Sequence, residues 1–270
     1  MSQFIDRLNG VSTATPRAMG FKTARITESA KAKPLLIAGL AQFDGGGTDY
    51  IAGADAVLLN ISNAGAKAPT LKRPPGSAPE IPWGGWLKDA NSKQTGKVVK
   101  SGFDFMVFSL SSPALSIAPD SEIGKILKVA PSLSDGLLMT INQLPVDAIF
   151  ISEGWESNSA FTWHHLMTYQ HFADMVAKPL IVAIPPKSTA KELQALWNAG
   201  VDAVVIAVED EKASSCLKKL RLEVDKLTFD PRNKPIKTPA LLGNIASTID
   251  ATDEEESEDI TDISIAGLSR

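Results

Sequence analysis

The stretch from Lys178 to Asp210, KPLIVAIPPKSTAKELQALWNAGVDAVVIAVED, constrains the chain most, because it spells strand, helix and strand in close succession. Leu180 to Ile184 is a short, β-branched apolar run, as a parallel strand covered on both faces requires. Thr189 and Glu192 have the T-x-x-E spacing of a capping box, which satisfies orphan amides at a helix start. Leu193, Leu196 and Trp197 share one helical face at i, i+3 and i+4, and Gly200 stands where a left-handed C-cap is wanted. Asp202 then opens a second apolar run, Ala203 to Val208. The unit is βαβ, and its crossover is expected to be right-handed.

The same wording recurs upstream. KPLLIAGL starts at Lys33 and is followed by GADAVLLN, so that Pro34 and Asp55 are 21 residues apart where Pro179 and Asp202 are 23. An internal repeat is the natural reading. Gly102 to Phe108 and Pro145 to Ile151 repeat the entry of an aspartate followed by an apolar run, which gives four strands opening at Asp55, Asp104, Asp147 and Asp202. Pro34 to Leu40, Pro82 to Leu87, Gly124 to Val129 and Pro179 to Ile184 supply the alternate strands. Helical segments fit the gaps at 90–101, 132–144, 162–177, 189–199 and 212–227. In the second of these, Leu137, Leu138, Ile141 and Leu144 fall on one face. Eight such units predict an α/β chain folded as a single (β/α)8 barrel of the TIM type over residues 34–227. The third strand is the weakest in pattern, since PWGGWL carries two glycines; without it an open doubly wound sheet is the alternative.

The flanks read differently. Residues 1–33 hold an amphipathic helix at Phe4, Ile5 and Leu8 and then a loop with Pro16 and Gly20, as a cover for the bottom of the barrel. Residues 228–249, with Pro231, Pro235 and Pro239, read as an extension packing outside it. From Leu241 onward lie eight acidic residues and one basic, leaving 26 basic against 23 acidic in the body. The tail, 250–270, is therefore expected to be acidic and disordered. It ends in an apolar peptide, ITDISIAGLSR, which is either a frayed end or a docking strand for a protein partner.

Composition excludes several classes. No run approaches the roughly 18–20 apolar residues of a membrane span, and the N-terminus lacks the pattern of a secretory signal. A cytoplasmic protein without membrane contact is expected. The slightly basic body shows no cationic cluster interleaved with aromatics, which argues against nucleic acid. The lone Cys216 rules out an internal disulfide and reads as a half-buried apolar residue of a helix.

Active sites of such barrels form where the strands end, so the candidate residues follow from the strand assignments. Glu153 and Glu209, leaving nearly apolar strands, are candidate catalytic carboxylates for acid/base work, with solvated loop residues as the alternative. Lys187 ends the seventh strand, where a desolvated amine forms Schiff bases, unless it is merely a neighbour of the helix cap. Asn60, Ser109 and Ser152 are candidate ligand contacts. The proline-rich connection 61–81 carries Lys72 and Arg73, which would close over an acidic ligand as a cationic lid; a solvated loop is the alternative. His164 and His165 are adjacent on a helix and lack metal-ligand spacing, so no metal is expected.

The last two units resemble the closing units of phosphate-binding barrels, which include many FMN enzymes and sugar-phosphate isomerases. That resemblance implies glycine turns after the seventh and eighth strands whose amides hold phosphate. Here those positions read Ile184-Pro185-Pro186 and Val208-Glu209-Asp210. Prolines remove donors and carboxylates repel an anion, so the resemblance assigns no cofactor. The functional expectation is a small-molecule-binding barrel that acts as an enzyme, if at all, on a small acidic metabolite at the rim. The alternative is a non-catalytic barrel serving protein association through the acidic tail.

Overall fold

A computed structural model of the chain describes residues 2–12, 33–41, 48–61, 81–88, 90, 92–114, 117, 122–152 and 161–229. Contacts divide the chain into units 1–235 and 236–270, and every described residue belongs to the first. Eight parallel strands close into a barrel in sequential order: β1 (Leu35–Leu40), β2 (Ala56–Asn60), β3 (Trp83–Leu87), β4 (Phe105–Ser109), β5 (Gly124–Val129), β6 (Ala148–Ile151), β7 (Leu180–Ile184) and β8 (Ala203–Ala207). The glycines of β3 do not break it. Residues Trp83–Leu87 pair with both neighbours, so the open-sheet alternative falls.

Helix α1 (Gln3–Ser12) precedes the barrel, and α2 (Ser92–Lys100), α3 (Asp135–Ile141), α4 (Trp163–Met175), α5 (Ala190–Asn198) and α6 (Glu211–Val224) lie between or after the strands. The α5 capping box forms as the spacing requires: Thr189 Oγ1 accepts from Glu192 N, and the Glu192 carboxylate accepts from Thr189 N at 2.7 Å. Gly200 has φ +97°, the left-handed value its place after α5 demands. One face differs from expectation. In α3 only Leu138 and Ile141 are buried, while Leu137 and Leu144 are 55% and 43% exposed. The helix is seven residues long and stops at Ile141, so Leu144 lies beyond it, and Leu137 sits a 100° step off the buried pair.

The four entry aspartates have a shared task. The first N–H groups of a strand at the bottom of a barrel lie beyond the ladder and need another acceptor. Asp55 accepts from Leu36 N at 2.9 Å, Asp147 from Lys125 N at 2.7 Å and Asp202 from Leu180 N at 2.8 Å. In return each aspartate N–H donates to the carbonyl of that same residue. Asp104 breaks the pattern and turns to α1, accepting from Ser2 Oγ, Gln3 N and Phe4 N, each at 2.8 Å. Elsewhere Lys33 bonds Asp225, and that hydrogen bond, with Arg221 adding to it, holds the Asp225 carboxyl below its usual range.

Strand register arranges the interior in layers of four, drawn alternately from even and odd strands. The lowest layer to which four strands contribute holds Ala56, Phe105, Ala148 and Ala203. Its three alanines leave room for Phe4 of α1, which stacks on Phe105 with ring centroids 4.4 Å apart. Phe4, Ile5 and Leu8 are all buried, so the N-terminal helix plugs the barrel from below. The second layer is Ile37, Gly84, Ile126 and Ile181; the third is Leu58, Val107, Phe150 and Val205. Among the described residues no helix is long and apolar enough to cross a membrane.

Candidate functional site

Above these three apolar layers the interior changes character. The same register puts Gly39, Trp86, Lys128 and Ala183 in the fourth layer and Asn60, Ser109, Ser152 and Ala207 in the fifth, at the C-terminal mouth. Two small residues thus share a layer with a tryptophan and a lysine, and the difference in side-chain volume leaves a space. A cavity of about 300 Å³ opens there, with Leu58, Phe150 and Val205 of the third layer beneath it and Asn60, Ser152 and Glu209 at its edge.

Two aromatic rings form part of the wall. Trp86 and Phe150 meet edge to face at 89°, their centroids 6.2 Å apart, a favoured aromatic geometry. Lys128 holds its Nζ over the Trp86 ring, 5.4 Å from the centroid, as a cation on an indole face. It is half-buried, and among the described residues it is the one cation that the strand register points into the barrel. Its neighbour in the strand, Lys125, faces the outside of the barrel next to Leu127 and Leu144.

The sequence-predicted residues divide into three groups. Asn60, Ser152 and Glu209 line the cavity. Glu209 is exposed, so it lacks the burial that would suit it to acid/base work. Ser109 has the right register, but its hydroxyl bonds Ser111 Oγ at 2.9 Å and it does not line the cavity. Lys187 does not line the cavity. It is exposed on the turn after Pro185 and Pro186, where Ser188 N closes back on Pro185 O, so a desolvated amine is not available there. Lys72, Arg73 and Glu153 lie outside the described residues, as do residues 62–80 of the lid expected at 61–81.

Sequence reasoning passes over Trp86 and Lys128, because it looks for site residues beyond the end of each strand, where the fifth offers little. The signal lies in the period-two alternation: Gly124 and Ile126 face inward, which commits Lys128 to the interior.

The starts of α4, α5 and α6 carry side-chain caps, whereas Ser134 at the start of α3 makes no side-chain cap hydrogen bond. Asp210 caps α6, its carboxylate accepting from Ala213 N at 2.7 Å, and Glu192 and Thr189 close the start of α5. At α4, Thr162 and His165 form a capping box in which His165 Nδ1 accepts from Thr162 N at 3.1 Å, so the ring proton belongs on Nε2. Among the described residues no group of three His, Cys, Asp or Glu side chains could hold a metal. Cys216 is half-buried on α6.

Comparison with known proteins adds to this geometry. No protein-family model matches the chain, and no curated protein matches it in sequence. Among solved structures, a mutant tryptophan synthase alpha-subunit from the hyperthermophile Pyrococcus furiosus is similar, with a TM-score of 0.55 and 13% identity over 72% of this chain and 98% of that one. KGPDC from Streptococcus mutans, solved in complex with a ligand, is similar with a TM-score of 0.57 and 11% identity over 71% of this chain and 97% of that one. The likeness is one of fold alone. It agrees with the sequential closed barrel and says nothing of which residues do chemistry.

Proposed function

We propose that this protein binds a small anionic metabolite in the mouth of its barrel and acts on it there. The observation that carries the reading is the fourth interior layer, in which Lys128 and Trp86 share a level with Gly39 and Ala183. A lysine placed inside a barrel forgoes hydration, a cost that serves no packing purpose an alanine or leucine would not serve better. A positive charge beside a cavity with apolar walls instead concentrates an anion. Asn60 and Ser152 supply hydrogen bonds at the cavity edge, and Glu209 supplies a carboxylate. The fold neighbours include an enzyme subunit and a protein solved with a ligand bound, which fits a barrel built for a small ligand.

A thermal-shift screen of small carboxylates and phosphate esters tests the reading. A ligand at about 100 times its dissociation constant stabilises by roughly 2.7 kcal/mol. At least one compound is expected to raise the Tm of the wild-type protein, and to lose that effect in Lys128→Met and Asn60→Ala. A screen without a hit, or hits indifferent to both substitutions, removes the reading.

A further inference from the structure

Helix α4 is apolar on two sides, and only one of them faces the barrel. Tyr169 and Phe172 are buried against it, while Trp163 and Met167 on the opposite side are 80% and 69% exposed, the most of any large apolar side chain among the described residues. In a helix that merely covers a sheet, the outer side is charged or polar. The 13 residues of α4 include no Lys, Arg or Glu, and with the histidines neutral Asp174 carries their one formal charge. Trp and Met gained, with Lys and Glu lost, is the composition of an interface core. We propose that two copies of the chain pair through this face, α4 against α4, about a two-fold axis.

A second copy fits because the face supplies both halves of a contact. Trp163, Met167, Gln170 and Asp174 form a ridge at i, i+4, i+7 and i+11. Beside it runs a groove of about 600 Å³ whose far wall is set by the short side chains of Ala195, Asn198 and Ala199 on and after α5. On the other flank His171 meets Asp135 at 2.9 Å, and Asn142 Nδ2 donates to the Met175 carbonyl at 3.1 Å. Met139 lies between Asp135 and Asn142 on that side of α3 and adds an apolar side chain at 59% exposure. A two-fold turn lays each ridge in the groove of the other copy. Charge selects the antiparallel direction. An acid in the last turn opposes its own helix dipole, and α4 has Asp174 there and no acid in its first turn. Antiparallel pairing brings Asp174 of each copy to the positive N-terminal end of the other's α4. A lipid surface would instead call for Lys or Arg around the apolar side chains, and α4 has neither.

Sedimentation velocity of the full chain under reducing conditions tests the pairing. Between about 1 and 100 μM, a range that brackets micromolar dissociation constants, the 28.7 kDa chain is expected to shift to a species of twice that mass. Trp163→Ala should weaken the dimer at least about 30-fold, the effect of losing an aromatic anchor. Met167→Glu, which sets two carboxylates against each other near the axis, should leave monomer throughout. Both side chains are exposed in the single chain, so neither substitution should move the Tm of dilute protein. Leu222→Glu, at a position 62% exposed on α6, should leave the equilibrium as it is. A chain that stays monomeric over the whole range overturns the proposal. So does a dimer that survives both Trp163→Ala and Met167→Glu, and so does one that Leu222→Glu dissociates as fully as they do.

Discussion

Tyr169 is the side chain least at ease in its surroundings. It lies on the buried face of α4 at 1% exposure, its hydroxyl has no hydrogen-bond partner among the described residues, and burial pushes its pKa up to about 12. An orphaned buried hydroxyl carries a desolvation cost of about 1–3 kcal/mol. Tyr169→Phe keeps the ring and removes the orphan, so it should leave the Tm unchanged or raise it; a clear fall in Tm would mean that the hydroxyl has a partner in solution. Gly84 shows the opposite situation. A Cβ there would meet the Phe105 ring at 2.1 Å, and Phe105 cannot retreat while Phe4 stacks on it. Gly84→Ala should therefore cost about 1–3 kcal/mol from overpacking, more than the up to 1 kcal/mol gained by stiffening the unfolded chain. Chemical denaturation measures the balance, and a stabilised variant would disprove the interdigitation of the lowest two layers.

At the level of elements, the repeated aspartates divide labour. Three of them close the bottom of the barrel on itself, and the fourth, Asp104, fastens α1 to it. The plug rests on two supports: the burial of Phe4, Ile5 and Leu8, each worth about 1.5–3 kcal/mol, and the Asp104 cap. Gly124 permits the approach, since a Cβ there would lie 2.5 Å from Ile5. Removing the carboxylate leaves Ser2 Oγ, Gln3 N and Phe4 N without their acceptor. Asp104→Ala should cost about 0.5–2 kcal/mol, the range for loss of an N-cap, and the loss should be local. In native-state hydrogen exchange the α1 amides should lose protection while those of β5 to β8 keep theirs. Equal loss across all strands would make Asp104 part of the barrel's own closure and not a tether.

Across the whole molecule, architecture was legible and the site only in part, for one physical reason. Strands and caps are written locally: an apolar run bounded by Asp or Pro, or a T-x-x-E box, states its structure within a few residues, and even Trp83–Leu87 was readable despite its glycines. The cavity arises from register around a closed sheet, where Gly39, Trp86, Lys128 and Ala183 become neighbours although up to 144 positions separate them. Scanning the residues after each strand reached Asn60, Ser152 and Glu209, which line the cavity, and also Lys187, which does not; it could not reach Lys128, which lies before the strand end. The same whole-molecule view bears on phosphate cofactors. A flavin mononucleotide held in the manner of the phosphate-binding barrels needs free amides beyond β7 and β8. Here two prolines, the Thr189–Glu192 box and the Asp210 cap take those positions, and Glu209 adds a repelling charge. Purified protein should accordingly be colourless, and added FMN or inorganic phosphate should not raise its Tm. A flavin absorption band that survives gel filtration would show that the chain holds phosphate by other groups.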